Sequence, residues 1–330
     1  MENTDCCICH HNDHTLIYSG LPDRLLDTHE PKFTFVKCKH CVLIYQSPRP
    51  TQDEISSYYP DRYDSYEISN LTKTKSWLAQ KAYDYGQNKR SHLITHYKAS
   101  GRLLDIGCAT GTFLTHMRRH LENWQLNGVE ISPHASEIAR TQFNMDVFTG
   151  TLEEAHFTDQ YFDVITLWEV LEHLYNPIET LIEVHRILKK DGIIVLRIPN
   201  GSSLDACLFK QYCEGLDPPR HLFVFTPTTM KGVLKEAGFK ALNWNTSSGS
   251  YLAFLLSLKF WLNDQSISIS MKKRLLKALS NSIARIISAP LFFPSSLLNI
   301  GPHMVVIAIQ IYKLVSYLFN GELTLKCYCI

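Results

Sequence analysis

The stretch Leu103–Leu114, reading LLDIGCATGTFL, constrains the fold more than any other part of the chain. Leu103 to Ile106 is a short apolar run with an acid near its end, which suits a buried strand. A small-residue turn, Gly107 to Gly111, follows at once, and an apolar-periodic segment starts at Phe113. Strand, glycine turn and helix open a nucleotide-binding βαβ unit. Glycine at 107 and 111 lets backbone approach a ligand where a Cβ would collide. Gln125 to Val129 reads as the second strand and runs into Glu130, an acid placed to accept both hydrogens of a ribose diol. Met145 to Thr149, Phe162 to Leu167 and the run ending at Asn200 read as the next three strands. The turn is Gly-x-Ala-x-Gly, without the third glycine of the dinucleotide fold, which argues against a nicotinamide-dependent oxidoreductase. No Gly-x-x-x-x-Gly-Lys-Ser/Thr run exists to cradle a phosphate.

Asp105-Ile106-Gly107-Cys108-Ala109-Thr110-Gly111 resembles the first motif of class I S-adenosylmethionine-dependent methyltransferases. Glu130, Phe162-Asp163-Val164, Glu169-Val170-Leu171-Glu172-His173 and Leu188-Lys189-Lys190-Asp191-Gly192 resemble its later motifs, in order, and the resemblance spans residues 100 to 245. It implies an α/β fold: a Rossmann-like, seven-stranded, mostly parallel sheet with helices on both faces. It also implies S-adenosyl-L-methionine as cofactor, held by Asp105, Gly107, Cys108, Gly111, Glu130 and Ile131, with Thr151 and Leu152 toward the adenine and Trp168 beyond the fourth strand. The departure is Ala109, where many members carry glycine.

Ten cysteines are many for a chain with no N-terminal secretory signal, for which the cytosol is the expected compartment. Cys6-x2-Cys9 and Cys38-x2-Cys41, 28 residues apart, have the double spacing of a four-thiolate zinc ribbon. Cys7, His10 and His11 are spare ligands at the first knuckle. A closed site of this kind is structural. The organisation expected is a zinc-binding ribbon over 1–50, a Tyr-rich linker and capping helix over 51–100, the cofactor domain over 101–250, a helical insert over 251–300, and a final strand and tail over 301–330. The linker holds Tyr58, Tyr59, Tyr63 and Tyr66 among prolines, and it reads either as a cover for the active site or as a surface link.

Beyond the fourth strand, one helical turn would set Glu169 against Glu172 and His173 at i+3 and i+4. Such a group acts as a base or holds a divalent cation, magnesium being the ion considered. The pattern resembles ubiquinone-pathway O-methyltransferases and small-RNA 2′-O-methyltransferases, where a Glu-x-x-Glu-His group and a later histidine serve a metal; His221 of Pro219-Arg220-His221-Leu222 is the candidate here. The expected catalytic set is therefore His173, His221, Glu169 and Glu172, with Tyr212, Arg220 and Phe223 on the substrate side.

Residues 251 to 300 combine a strongly apolar run with a basic amphipathic helix from Met271. Three readings stay open: peripheral membrane contact, gating of an apolar substrate, and core packing or a homodimer interface. Pro290, Pro294, Gly301 and Pro302 argue against a transmembrane helix, and His303 to Gln310 reads as the last strand. With net charge +1 and pI near 7.6, the chain has no general basic field, which disfavours nucleic acid as partner. The expectation is O-methylation of a small-molecule hydroxyl of sugar, quinone or polyketide type. Rivals are N- or C-methylation of protein or RNA, and a zinc-stabilised binding module with an inactive cofactor domain.

Overall fold

A computed structural model describes residues 1–26, 28–59, 77–246, 250–281, 284, 288, 298–317 and 324–329. Strands β1 (His14–Asp23) and β2 (Thr28–Cys38) form an antiparallel hairpin, and β3 (Ile44–Gln46) pairs with β2. Helix α1 (Trp77–Thr95) precedes β4 (Gly101–Ile106), α2 (Thr112–His120), β5 (Trp124–Glu130), α3 (Pro133–Phe143) and β6 (Asp146–Thr149). Then come β7 (Phe162–Trp168), a 3-10 turn at Leu171–His173, α4 (Pro177–Ile187), β8 (Leu188–Pro199) and α5 (Leu204–Phe209). The chain continues through β9 (Phe223–Val224), α6 (Pro227–Glu236), β10 (Phe239–Asn245), α7 (Ser250–Asn263) and α8 (Ile269–Leu279). β11 (His303–Gln310) follows, and β12 (Tyr312–Tyr317) pairs with β13 (Thr324–Cys329).

Seven strands make the main sheet in the order β10-β11-β8-β7-β4-β5-β6. β8, β7, β4, β5 and β6 run parallel, and β11 lies antiparallel between β8 and β10. This is the Rossmann-like α/β fold the motifs imply. β4 to β6 step away from β4 on one side and β7 and β8 on the other, so the order switches beside β4, where open α/β sheets bind ligands. Caps fix the helices that start at that edge. Ser132 accepts from the Ala135 amide with Pro133 in the first turn of α3, and Thr226 forms a reciprocal box with Thr229 ahead of Pro227 in α6.

The N-terminal ribbon is built into this domain. β3 pairs with β9 through Ile44↔Val224 and Tyr45↔Phe223, giving a second sheet ordered β1-β2-β3-β9. Cys6, Val36, Cys38, Leu43 and Tyr45 belong to the same buried cluster as Leu104, Ile165, Leu196 and Phe239. Burying a large apolar side chain contributes about 1.5–3 kcal/mol, so this shared core resists separation of the two parts. The insert packs similarly: Phe254 of α7 meets Phe209 of α5 with ring centroids 5.4 Å apart. Among the described residues, no helix is long and apolar enough to cross a membrane. The linker tyrosines Tyr63 and Tyr66 and the prolines Pro60, Pro290 and Pro294 lie outside the described residues.

Candidate active site

The cofactor half is assembled from one contiguous piece of chain. Asp105, 2% exposed at the end of β4, accepts from the Thr166 hydroxyl at 2.6 Å. Burial pushes its carboxyl up to about 7, against the pull of that hydroxyl and of Arg90. Gly107 and Gly111 take left-handed φ values of +67° and +72°, and a Cβ on Gly107 would come within 2.5 Å of the Val170 side chain. Ala109 is left-handed too, at φ +48°. A β-carbon there costs about 1–2 kcal/mol, the physical reason glycine suits this position.

Glu130, 4% exposed, ends β5 as an anchor for the turn. One carboxylate oxygen accepts from the Ala109 amide and the other from the Ser132 amide, each at 2.8 Å. A carboxylate has about four acceptor positions, so two remain for a diol. Burial raises the Glu130 pKa, opposed by those amides. Ile131, next in the chain, is 68% exposed and presents an apolar surface beside the acid. Trp168 stands edge-on to Phe113 at 5.4 Å under the Arg90 guanidinium at 4.9 Å, with its indole N–H buried and unpartnered.

Other members of the expected cofactor set have structural duties. The Cys108 thiol is buried in the core, where it fills the space a Cβ on Gly128 would enter at 2.6 Å. Thr151 closes a turn with Glu154, its amide donating at 2.8 Å and its hydroxyl accepting at 3.3 Å. Leu152 is buried in the main core.

The acceptor half draws on distant segments. Ligand atoms of Glu172, His173 and His221 lie within 4.8 Å of one another. His173 Nδ1 meets the Arg220 carbonyl at 3.0 Å, and His221 Nδ1 meets the Gly215 carbonyl at 2.9 Å. A carbonyl only accepts, so both Nδ1 atoms carry a proton, and each ring in its neutral form keeps a lone pair on Nε2. Tyr59 Oη is a further neighbour of His173 Nδ1, at 3.0 Å, so the linker does reach this group. Burial and the neighbouring His221 push the His173 pKa down to about 3, keeping its ring neutral. Glu172, 1% exposed, has neither carboxylate oxygen partnered, and burial with Glu169 and Glu214 nearby raises it well above the usual range.

Glu169 does not join this group. The 3-10 turn begins at Leu171, and Glu169 sits before it at φ +60°, so helical i+3 and i+4 spacing never forms. Its carboxylate pairs instead with Arg197 and with His303 Nε2, each at 3.0 Å. Burial alone would raise its pKa, but the Arg197 charge and the His303 hydrogen bond hold it well below the usual range. His303 also approaches Glu214 at 3.6 Å, and its Nδ1 is buried and unpartnered. In the sequence, His303 is legible only as a strand residue. The usable signal is that an antiparallel last strand starts at the carboxyl edge of its parallel neighbours.

Arg220 also departs from the expectation of a substrate-side group. It is fully buried, bound in a bidentate pair to Asp23 at 2.8 and 2.9 Å, to Asp217 at 2.8 and 2.9 Å, and to the Tyr58 carbonyl at 3.1 Å. It ties the end of β1 to the loop that carries His221. Phe223 is buried as a strand residue of β9, and the Tyr212 hydroxyl is bound to Asp264.

In the ribbon, Cys6 Sγ lies 3.2 Å from Cys41 Sγ, and Cys9 Sγ lies 3.4 Å from Cys38 Sγ. All four sulfurs fall within 4.8 Å of one another. Tetrahedral zinc with Zn–S near 2.3 Å sets sulfurs about 3.8 Å apart, so the cluster has the size such an ion needs. Burial raises the Cys38 thiol pKa, but amide N–H groups of Cys41 and His40 outweigh it and bring the value to about 7. Cys7 stays outside the cluster, and His11 stacks on His40 at 4.0 Å.

A parallel sheet with a glycine turn at its switch point and a strand-ending acid beside it defines a nucleoside-cofactor domain of the class I methyltransferase type. Residues 80–243 match the family model described as a methyltransferase domain. An uncharacterized methyltransferase of Schizosaccharomyces pombe is 26% identical over 168 residues, 47% of this chain and 56% of the relative. The mitochondrial ubiquinone biosynthesis O-methyltransferase of the same yeast is 34% identical over 102 residues, 29% of this chain and 36% of the relative. The chain thus spans about half or less of the length of these two curated relatives. A crystal structure of a SAM-dependent methyltransferase from Archaeoglobus fulgidus is similar at 20% identity and TM-score 0.46, covering 68% of this chain and 93% of that one.

Proposed function

We propose that the chain transfers the methyl group of S-adenosyl-L-methionine to a hydroxyl of a small molecule. The observation that carries the cofactor is Glu130: a buried carboxylate fixed by two backbone amides, with acceptor capacity to spare, beside a turn of small residues. That cofactor supplies an activated methyl on a sulfonium, and the protein's work is alignment and removal of a proton. His221 and Glu172 are suited to the second task. His221 offers an Nε2 lone pair, and the unpartnered Glu172 carboxylate stands beside it. His173, with its pKa near 3, is a weak base and serves to position its neighbours. The yeast relative named for O-methylation in ubiquinone biosynthesis supports a hydroxyl acceptor.

Two metals enter this reading. Zinc at Cys6, Cys9, Cys38 and Cys41 would brace the ribbon, whose thiolates favour a reducing compartment such as the cytosol. Magnesium does not fit the acceptor group: two imidazoles and one carboxylate, with Glu169 turned away, suit a transition ion better than one that prefers six oxygens.

The test is transfer of a radiolabelled methyl from the cofactor to catechol as probe acceptor. The reading expects a methyl ether, reduced about 10²–10⁴-fold in His221→Gln. A labelled amine or carbon product from a panel of such acceptors, with cofactor binding intact, would contradict the hydroxyl assignment.

A further inference from the structure

Helix α8 packs little of itself away. Its sequence, ISMKKRLLKAL, contains no residue that is buried, and Ile269, Met271 and Leu275 are 71%, 61% and 42% exposed. Met271, Leu275, Ala278 and Leu279 recur at i, i+4, i+7 and i+8, one face of a helix, whereas Lys273, Arg274 and Lys277 gather on the other and Lys272 flanks them. From Gln265 to Gly321 the chain has no Asp or Glu at all, in a protein whose net charge is only +1. Trp261, 39% exposed near the end of α7, lies close by, since Lys272 Nζ donates to the Asn263 carbonyl at 3.0 Å. A short helix with a charged basic face, an open apolar face and a neighbouring tryptophan has the chemistry of an interfacial anchor.

The charge decides between occupants. A second copy of the chain docking face to face would set four cations of α8 against the same four, because an isologous interface brings a patch onto itself. A nucleic acid would neutralise the cations but leave Ile269, Met271 and Leu275 in water. An anionic bilayer meets both faces at once, apolar residues entering the acyl boundary and lysines meeting headgroups.

We infer that α8, with Trp261, is a docking surface for anionic lipid bilayers. The surface is coupled to the active site through α7. The Glu214 amide donates to Ser257 of α7 at 2.9 Å, and the Glu214 carboxylate faces His303 at 3.6 Å. Docking therefore sets the acceptor side beside the lipid surface and favours an acceptor that resides there. That last step rests on the proposed methyl transfer; the docking does not.

Co-sedimentation of the full chain with vesicles tests it. The protein pellets with vesicles of phosphatidylcholine mixed with phosphatidylglycerol, stays in solution with phosphatidylcholine alone, and is released by added salt. Replacing Lys272, Lys273, Arg274 and Lys277 together by Gln lowers partitioning by up to about a thousandfold. The pair Met271→Ser and Leu275→Ser lowers it while keeping every charge, and both variants bind S-adenosylhomocysteine in calorimetry as the unaltered chain does. Several results would overturn the inference. They are no pelleting with mixed vesicles, pelleting unaffected by either variant, a dimer in light scattering that the serine pair dissolves without vesicle binding, or salt-sensitive binding to RNA in place of vesicles. Loss of S-adenosylhomocysteine binding in the unaltered chain would instead count against the proposed function, leaving docking to be judged on the pellets.

Discussion

The two halves of the site are built in opposite ways. The cofactor half comes from one βαβ passage, Asp105 to Ser132, in which turn, acid and cap follow each other along the chain. The acceptor half gathers Asp23, Tyr59, Glu172, Arg197, Glu214, Arg220, His221 and His303 from the ribbon, the linker and three strand ends. Local chemistry shapes the first, and long-range pairing shapes the second. The first is held by backbone geometry and short hydrogen bonds, whereas the second includes a buried charge, Arg220, one of whose two carboxylate partners, Asp23, comes from the ribbon.

If that contrast is right, damage to the ribbon should disturb the acceptor half most. The largest effect is expected from Cys38→Ser. Structural zinc contributes roughly 10 kcal/mol or more to folding in isolated fingers. Atomic absorption should find one zinc per unaltered chain, none in the variant, and faster proteolysis of residues 1–50. Next, Asp23→Ala removes one of the two carboxylates that hold Arg220, leaving the buried guanidinium to Asp217 alone, and the two lost charge-assisted hydrogen bonds should cost about 3 kcal/mol or more in denaturant unfolding. Replacing Asp23, Asp217 and Arg220 together by apolar residues should cost much less, since desolvation of the triad disappears along with its attraction.

On the cofactor side the effects are smaller. Glu130→Ala removes charged hydrogen bonds worth about 1.5–3 kcal/mol, so calorimetry should show S-adenosylhomocysteine binding weakened at least about tenfold, with thermal stability changed less. Asp105 gives a pH signature. An unfolded Asp titrates near 3.9 and the folded one near 7, so between those values the native state holds a proton the unfolded chain has released. Stability contributed by that proton is present in acid and is lost as pH rises through this window, by up to about 1.4 kcal/mol per unit. Asp105→Asn should flatten the slope in urea titrations. The smallest effect is Ala109→Gly, which relieves left-handed strain and should leave stability within about 1 kcal/mol, on the favourable side.

The same contrast explains what could be read from the sequence. The glycine turn, Glu130 and the two cysteine knuckles are signals carried by residues a few positions apart, and six of the seven strands follow from apolar runs. Glu169 misled because one backbone angle, φ +60°, breaks the helical spacing that its motif suggests. Arg220 looked like a substrate contact because its partner Asp23 is 197 positions away, beyond any local pattern. His303 carries no motif at all; only the antiparallel pairing His303↔Pro199 brings it to the carboxyl edge.

The most direct test is a calorimetric titration of the intact, folded chain with S-adenosylhomocysteine, the spent thioether form of the cofactor. Saturable heat at one site per chain is the predicted result, with competition by S-adenosyl-L-methionine. A flat trace from protein whose circular dichroism and unfolding transition are intact would contradict the assignment of cofactor binding to the turn at Gly107 and the acid at Glu130.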